Sequence, residues 1–286
     1  MEHLSLHILT PNKNKKRFFG VDYFMNILTG YNPKFKYYAT SIDSNSVYEE
    51  GPITLHDERY DRLDMELSMK ESGSIIGLQN NPDIYDGLDS LSRILSILEK
   101  YEMGLYIETT SLKIIDDLDL LAQYAKNHPL LIAIPAAVVD IESELFGETL
   151  KIDHAAKIIS KCNHFNLNVG LLIKPVIPYV NDQLDQFVVL MDKALHAGAK
   201  FIYPSFSLRF DSRKIKDFYD VIDLEFPEYM VKYYDLFGQK TTWESEQASE
   251  LKKSYVIICR KNKVLYAMKD IINSYKPDLN IQLKLF

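Results

Sequence analysis

Short, almost uninterrupted apolar runs alternate along this chain with longer stretches in which apolar residues recur every three or four positions. The runs are Phe18–Phe24, Ser74–Leu78, Leu105–Ile107, Leu130–Ile134, Val169–Ile173 and Phe201–Leu208. Runs of that length without polar alternation predict strands buried on both faces. Between them, Leu88–Tyr101, Ile114–Lys126, Asp153–Phe165 and Gln183–Ala197 carry helical spacing. In the first of these Leu88, Leu91, Ile94, Leu95 and Leu98 share one face, and Gly198 stops the last. Residues 42–71 are polar and turn-prone before a modest helical pattern. Helical patterns dominate again to Tyr275, and Leu279–Leu285 reads as a closing strand.

Strand and helix therefore repeat about every 30 residues, roughly six times, which predicts an α/β fold with a parallel sheet covered by helices. Six units predict a partial (β/α)6 barrel over residues 1–210, with 211–286 as a C-terminal helical extension packed on it as one structural unit. Working sites in such folds lie at the carboxyl ends of the strands, so the loops after the runs hold the candidates. Gln79, Asn80 and Asn81, with Asp83 just beyond, follow the second run, in a composition that also makes an Asx-rich turn without any ligand. Glu108 and Thr110 follow the third. Lys174 and Pro175 follow the fifth, with Asn181 just beyond, where the prolines equally make a rigid turn. Arg209 follows the sixth. Glu108 and Arg209 are each placed either to face the barrel mouth or to form an ordinary ion pair.

The loop after the first run, MNILTGYNPKFKYYATS from Met25 to Ser41, is the most distinctive stretch. Tyr31, Phe35 and Tyr38 are interleaved with Lys34 and Lys36, a composition suited to stacking single-stranded nucleic acid or a nucleotide. The same rings would also plug the barrel mouth, and the plug is favoured because empty cavities are costly and aromatics fill them. The chain as a whole holds 33 basic and 40 acidic side chains, a net charge of −7, which argues against nucleic-acid binding by the general surface. Its two cysteines make no disulfide framework and suggest a reducing, cytoplasmic setting. Neither a secretory signal nor an apolar run of about 20 residues is evident, so no membrane span is expected. The histidines lack metal-ligand spacing, and no phosphate-binding glycine loop or nucleophile elbow occurs.

The frame MNI-x-x-G in the first loop resembles the radical S-adenosylmethionine superfamily, in its spore photoproduct lyase-like branch, where a Cys-x3-Cys-x2-Cys triplet follows. Leu171–Asp182, LLIKPVIPYVND, is similar to that branch's vlvaPIIPgiND, and Ile115–Leu121 to its RDIDLL. Gly77, Pro175, Pro178, Asn181 and Asp182 are kept, whereas Thr110 stands for the lysine of a TKS segment. The resemblance implies a partial barrel, a [4Fe–4S] cluster and S-adenosylmethionine. Its three cysteine positions, however, fall on Tyr31, Phe35 and Tyr38. Phenylalanine has no donor, and phenols of pKa about 10 are hard oxygen ligands poorly matched to a cluster that takes soft thiolates. The expectation is no cluster, with S-adenosylmethionine bound weakly or not at all. The expected function is a non-catalytic or regulatory paralogue that binds a small ligand or a protein partner, such as an active relative, at the barrel mouth. The alternative is an active lyase-like enzyme, in nucleic-acid repair or modification, with an unconventional site.

Overall fold

The computed structural model describes residues 7–31, 51–78, 83–137, 151–209 and 215–276. In chain order its elements are β1 (Leu9–Pro11), β2 (Tyr23–Met25), β3 (Thr29–Tyr31), β4 (Gly51–Thr54), α1 (Glu58–Leu67), β5 (Ile75–Leu78), α2 (Ile84–Gly87) and α3 (Ser92–Lys100). Next come β6 (Gly104–Glu108), α4 (Leu118–Tyr124), β7 (Leu130–Ala136), α5 (Ile152–His164), β8 (Val169–Ile173), α6 (Leu184–His196) and β9 (Phe201–Pro204). The chain continues through β10 (Ser207–Arg209), α7 (Ile215–Glu225), α8 (Met230–Leu236), β11 (Thr242–Glu244), α9 (Ala248–Asn262) and α10 (Met268–Tyr275).

The main sheet runs β1-β2-β5-β6-β7-β8-β9, and every pair after the antiparallel β1–β2 edge is parallel. Its six parallel strands are the six apolar runs, joined by helical crossovers as a parallel sheet requires. This is the partial barrel expected from the sequence.

The details differ in four places. Phe18–Gly20 is a tight turn rather than strand, with Phe19 and Gly20 at φ 45° and 75°, so the first parallel strand starts only at Tyr23. Leu9–Pro11 is an added edge strand, held because the buried Glu66 carboxylate of α1 accepts the Ile8 and Leu9 amides at 2.8 and 2.9 Å. Thr29 and Gly30 do not merely end a strand but begin β3, which pairs with β4. The sixth run divides at Pro204; Ser207–Arg209 turns off and pairs with β11 as a separate hairpin. The expected closing strand at Leu279–Leu285 lies outside the described residues, as do Phe35, Tyr38, Gln79, Asn80 and Asn81.

Strand alternation divides the interior into two layers. Ile76, Leu105, Ile107, Ile132, Ile134, Leu171 and Ile173 point outward and pack under the helices, with Leu251, Tyr255 and Cys259 of α9 in the same cluster. Val21, Ile75, Tyr106, Leu131, Ala133, Leu172 and Phe201 point inward, joined by Phe19 and by Ile271 and Tyr275 of α10. Gly77 serves the inward layer by its smallness, since a Cβ there would sit 2.8 Å from Val21 and 3.0 Å from the Phe24 ring. A third cluster joins Ile177, Leu208, Phe218, Ile222, Tyr233, Phe237 and Trp243, tying α7, α8 and the β10–β11 hairpin to the loop after β8. The fully buried Trp243 stacks on Phe237 at 4.7 Å in its centre. Among the described residues no helix is long and apolar enough to cross a membrane.

Candidate functional site at the strand ends

Two sequence candidates 66 positions apart meet inside the barrel. Glu108 is the last residue of β6 and Lys174 the first after β8, and Lys174 Nζ lies 2.5 Å from Glu108 Oε1. Both side chains are nearly withdrawn from solvent, at 11% and 4% exposure. Tyr106, two residues before Glu108 and so on the same inward face, donates its hydroxyl to Glu108 Oε2 at 3.1 Å. Burial pushes that hydroxyl well above the ordinary tyrosine range, so it stays a donor. The ladder neighbours of Glu108 are Ala133 and then Gly170, and Phe201 packs directly over the latter. Glu108 is thereby satisfied on both oxygens. Lys174, with three N–H groups, has one hydrogen-bond partner among the described residues.

The loop carrying Lys174 is fixed from within and from the C-terminal segment. The Lys174–Pro175 peptide is cis. Asn181 uses both ends of its amide on its own loop, accepting the Ile177 N–H at 2.5 Å and donating to the Pro175 carbonyl at 2.9 Å. Tyr233 donates to the Pro178 carbonyl, Ser245 to the buried Asp182 carboxylate, and Tyr179 to Glu246 at 2.6 Å. Asn181 and Pro175 thus shape the turn on which Lys174 stands.

A second cluster sits at the end of β6. Asp83 caps α2 and accepts from the Thr109 hydroxyl at 2.7 Å, the Thr110 amide at 2.9 Å and the Tyr85 amide at 3.1 Å. Burial raises its carboxyl from the usual 3.8 to about 6, against the pull of those donors. His154 Nε2 donates to the Thr110 carbonyl at 2.6 Å, so Thr110 is engaged through its backbone on both sides. Arg209 rides on the separate β10–β11 hairpin, opposite Thr242. Tyr31 ends β3, opposite Gly51.

Tyr106 and His154 were not among the sequence candidates. A tyrosine in the otherwise aliphatic Gly104–Glu108 strand was a usable signal, because a buried phenol requires an acceptor. Asp83, three residues before Asp86, has capping-box spacing. Nothing local marks His154.

The two thiols lie behind the sheet and not on its inward face. Cys162 and Cys259 lie on α5 and α9, in the layer between sheet and helices. Burial pushes both thiols up to about 12, the reverse of what a metal ligand needs. Among the described residues no group of three or more His, Cys, Asp or Glu is placed to hold a metal ion. The cysteines present do not fit a [4Fe–4S] cluster.

No protein-family model matches this chain, and no curated protein sequence does. Solved structures do. A tyrosine-to-phenylalanine variant of spore photoproduct lyase superposes with a TM-score of 0.53 at 13% identity, over 96% of this chain and 78% of that one. A cysteine-to-serine variant gives 0.53 at 13%, over 94% and 77%. Spore photoproduct lyase complexed with dinucleoside spore photoproduct gives 0.51 at 12%, also over 94% and 77%. Six parallel strands in sequential order, their helical crossovers and these superpositions together give the chain the fold of spore photoproduct lyase, a radical S-adenosylmethionine enzyme.

Proposed function

We propose that this chain keeps the radical S-adenosylmethionine barrel without its radical chemistry and uses the barrel mouth to bind a small ligand. The observation that carries the reading is the supply of thiols. Two cysteines serve the whole chain, both held as buried, high-pKa thiols behind the sheet, where a cluster takes three or four soft thiolates. The strand ends meanwhile hold a buried charged pair, which costs several kcal/mol of desolvation per ion before its attraction offsets any of it. A fold has no structural need for such a pair there, because apolar residues of similar volume serve stability as well or better. Its retention at the end of the barrel where ligands bind supports a site rather than a relic.

Anaerobic reconstitution with iron and sulfide tests the reading. The expected product is colourless and free of stoichiometric iron. A broad visible absorption with about four irons per chain, as a cubane cluster gives, would overturn it.

A further inference from the structure

We infer that Lys174 captures a small uncharged aldehyde or ketone as an imine, with Glu108 shuttling the protons and Tyr106 fixing Glu108. The inference rests on the ligand-binding reading above and names the class of ligand.

The geometry supplies each part. Nζ of Lys174 lies 2.5 Å from Glu108 Oε1, at the carboxyl end of a barrel strand. Because both groups are buried, moving one proton from Nζ to Oε1 removes two costly charges at once and leaves the site's net charge unchanged. The neutral amine so formed has a lone pair, which an exposed, solvated ammonium lacks. Glu108 Oε2 is occupied by the Tyr106 hydroxyl, so the mobile proton has Oε1 as its address. Around the pair the inward face is apolar. Leu172, two residues before Lys174, is in register with Pro135 and Tyr203, and Phe24 and Tyr203 are only half-buried. An apolar wall beside one carboxylate favours an uncharged carbonyl compound over a keto acid.

The chemistry closes without any further reagent. Glu108 takes a proton from the ammonium. The amine lone pair forms a bond to the carbonyl carbon, the C=O π pair moves to oxygen, and that oxygen takes the proton held by Glu108. Glu108 then removes a proton from the nitrogen and returns it to the hydroxyl, which leaves as water while the nitrogen lone pair completes C=N. Overall an ammonium and a carbonyl give a protonated imine and water. The positive charge stays beside Glu108 at the start and at the end, so neither buried charge is left uncompensated.

The experiment is reductive trapping at neutral pH with millimolar propanal and cyanoborohydride, with labelled lysines mapped by peptide mass spectrometry over time. Surface ammonium groups are almost fully protonated at that pH and react slowly. Lys174 is expected to be modified at least about tenfold faster than the median lysine, reaching one adduct per chain, and to lose that lead in urea. Labelling spread over the surface with Lys174 at or behind the median would overturn the proposal. So would an unchanged lead in urea, which would show that the fold plays no part. The Lys174→Met, Glu108→Leu, Tyr106→Phe triple variant, which removes the charged pair without orphaning a partner, is expected to lose the fast adduct; retention of it would also refute the assignment. A colourless, iron-free protein without the adduct sinks this inference and leaves the cluster-free reading standing. An adduct on a protein that does assemble a cluster does the opposite.

Discussion

The buried pair makes a stability prediction that separates burial from distance. Lys174 and Glu108 meet at 2.5 Å with 11% and 4% exposure, and on the surface Lys252 and Glu244 also meet at 2.5 Å, with 51% and 52%. If distance set the energy, the two pairs would respond alike. If burial sets it, Lys174→Met leaves the Glu108 carboxylate in a dry interior with only the Tyr106 hydroxyl, a loss of roughly 3–5 kcal/mol. Lys252→Met should cost at most about 1 kcal/mol, and less in high salt. Urea unfolding is the assay, with the midpoint falling at constant slope. For a chain of this size each kcal/mol moves the melting temperature by about 2 °C, so the buried replacement should lower it by roughly 6–10 °C. The Lys174→Met, Glu108→Leu, Tyr106→Phe triple replacement should return to within about 1 kcal/mol of the parent, because the cost belongs to the orphaned charge. Equal losses from Lys174→Met and Lys252→Met would refute the reasoning.

Three further outcomes are expected. Asp83 has a folded pKa raised to about 6, so the stability it contributes is fully present below its usual 3.8 and is lost as the pH rises through 6. The stability of the parent relative to Asp83→Asn should therefore fall by about 2–3 kcal/mol between pH 4 and pH 7, and a flat difference in denaturant titrations would contradict the assignment. Trp243→Ala should cost roughly 3–5 kcal/mol by calorimetry, because it empties the centre of the aromatic cluster beside Phe237, Phe218 and Tyr233. S-adenosylmethionine should bind more weakly than about 100 μM, short of roughly −5.5 kcal/mol; low-micromolar affinity in titration calorimetry would show that the pocket holds it without iron.

The parallel strands were legible because burial on both faces leaves a mark that needs no partner to be seen: Val169–Ile173 contains no polar side chain at all. The short edge pieces were not. Leu9–Pro11 is a strand because it pairs with Tyr23–Met25 and Glu66, far along the chain, accepts the Leu9 amide, and nothing near residue 9 records either. Glu108 and Lys174 were each visible as charged residues at the ends of apolar runs. Their pairing was not, since it depends on the register of β6, β7 and β8 and on which way each side chain turns. The fate of Asn181 was hidden for the opposite reason. Its position suggested a ligand, while both ends of its amide are used within six residues of its own backbone.

The inward layer brings together parts of the chain that are made at very different times. Phe19 stacks on Tyr106 and bonds through its carbonyl to the Tyr275 hydroxyl, a separation of 256 residues. During synthesis the turn bearing Phe19 is made well before its cover, Ile271 and Tyr275 of α10. Tyr233, Ser245 and Glu246, which hold the loop of Lys174, also come late. At about 5–20 residues per second, the six strands wait several seconds with an open floor and an unsecured loop. A ribosome paused after β9 would carry a barrel whose Phe19 and Phe201 lack the Ile271 side of their cluster, the condition under which chaperones bind. The mouth of this protein is completed by segments that follow its last parallel strand.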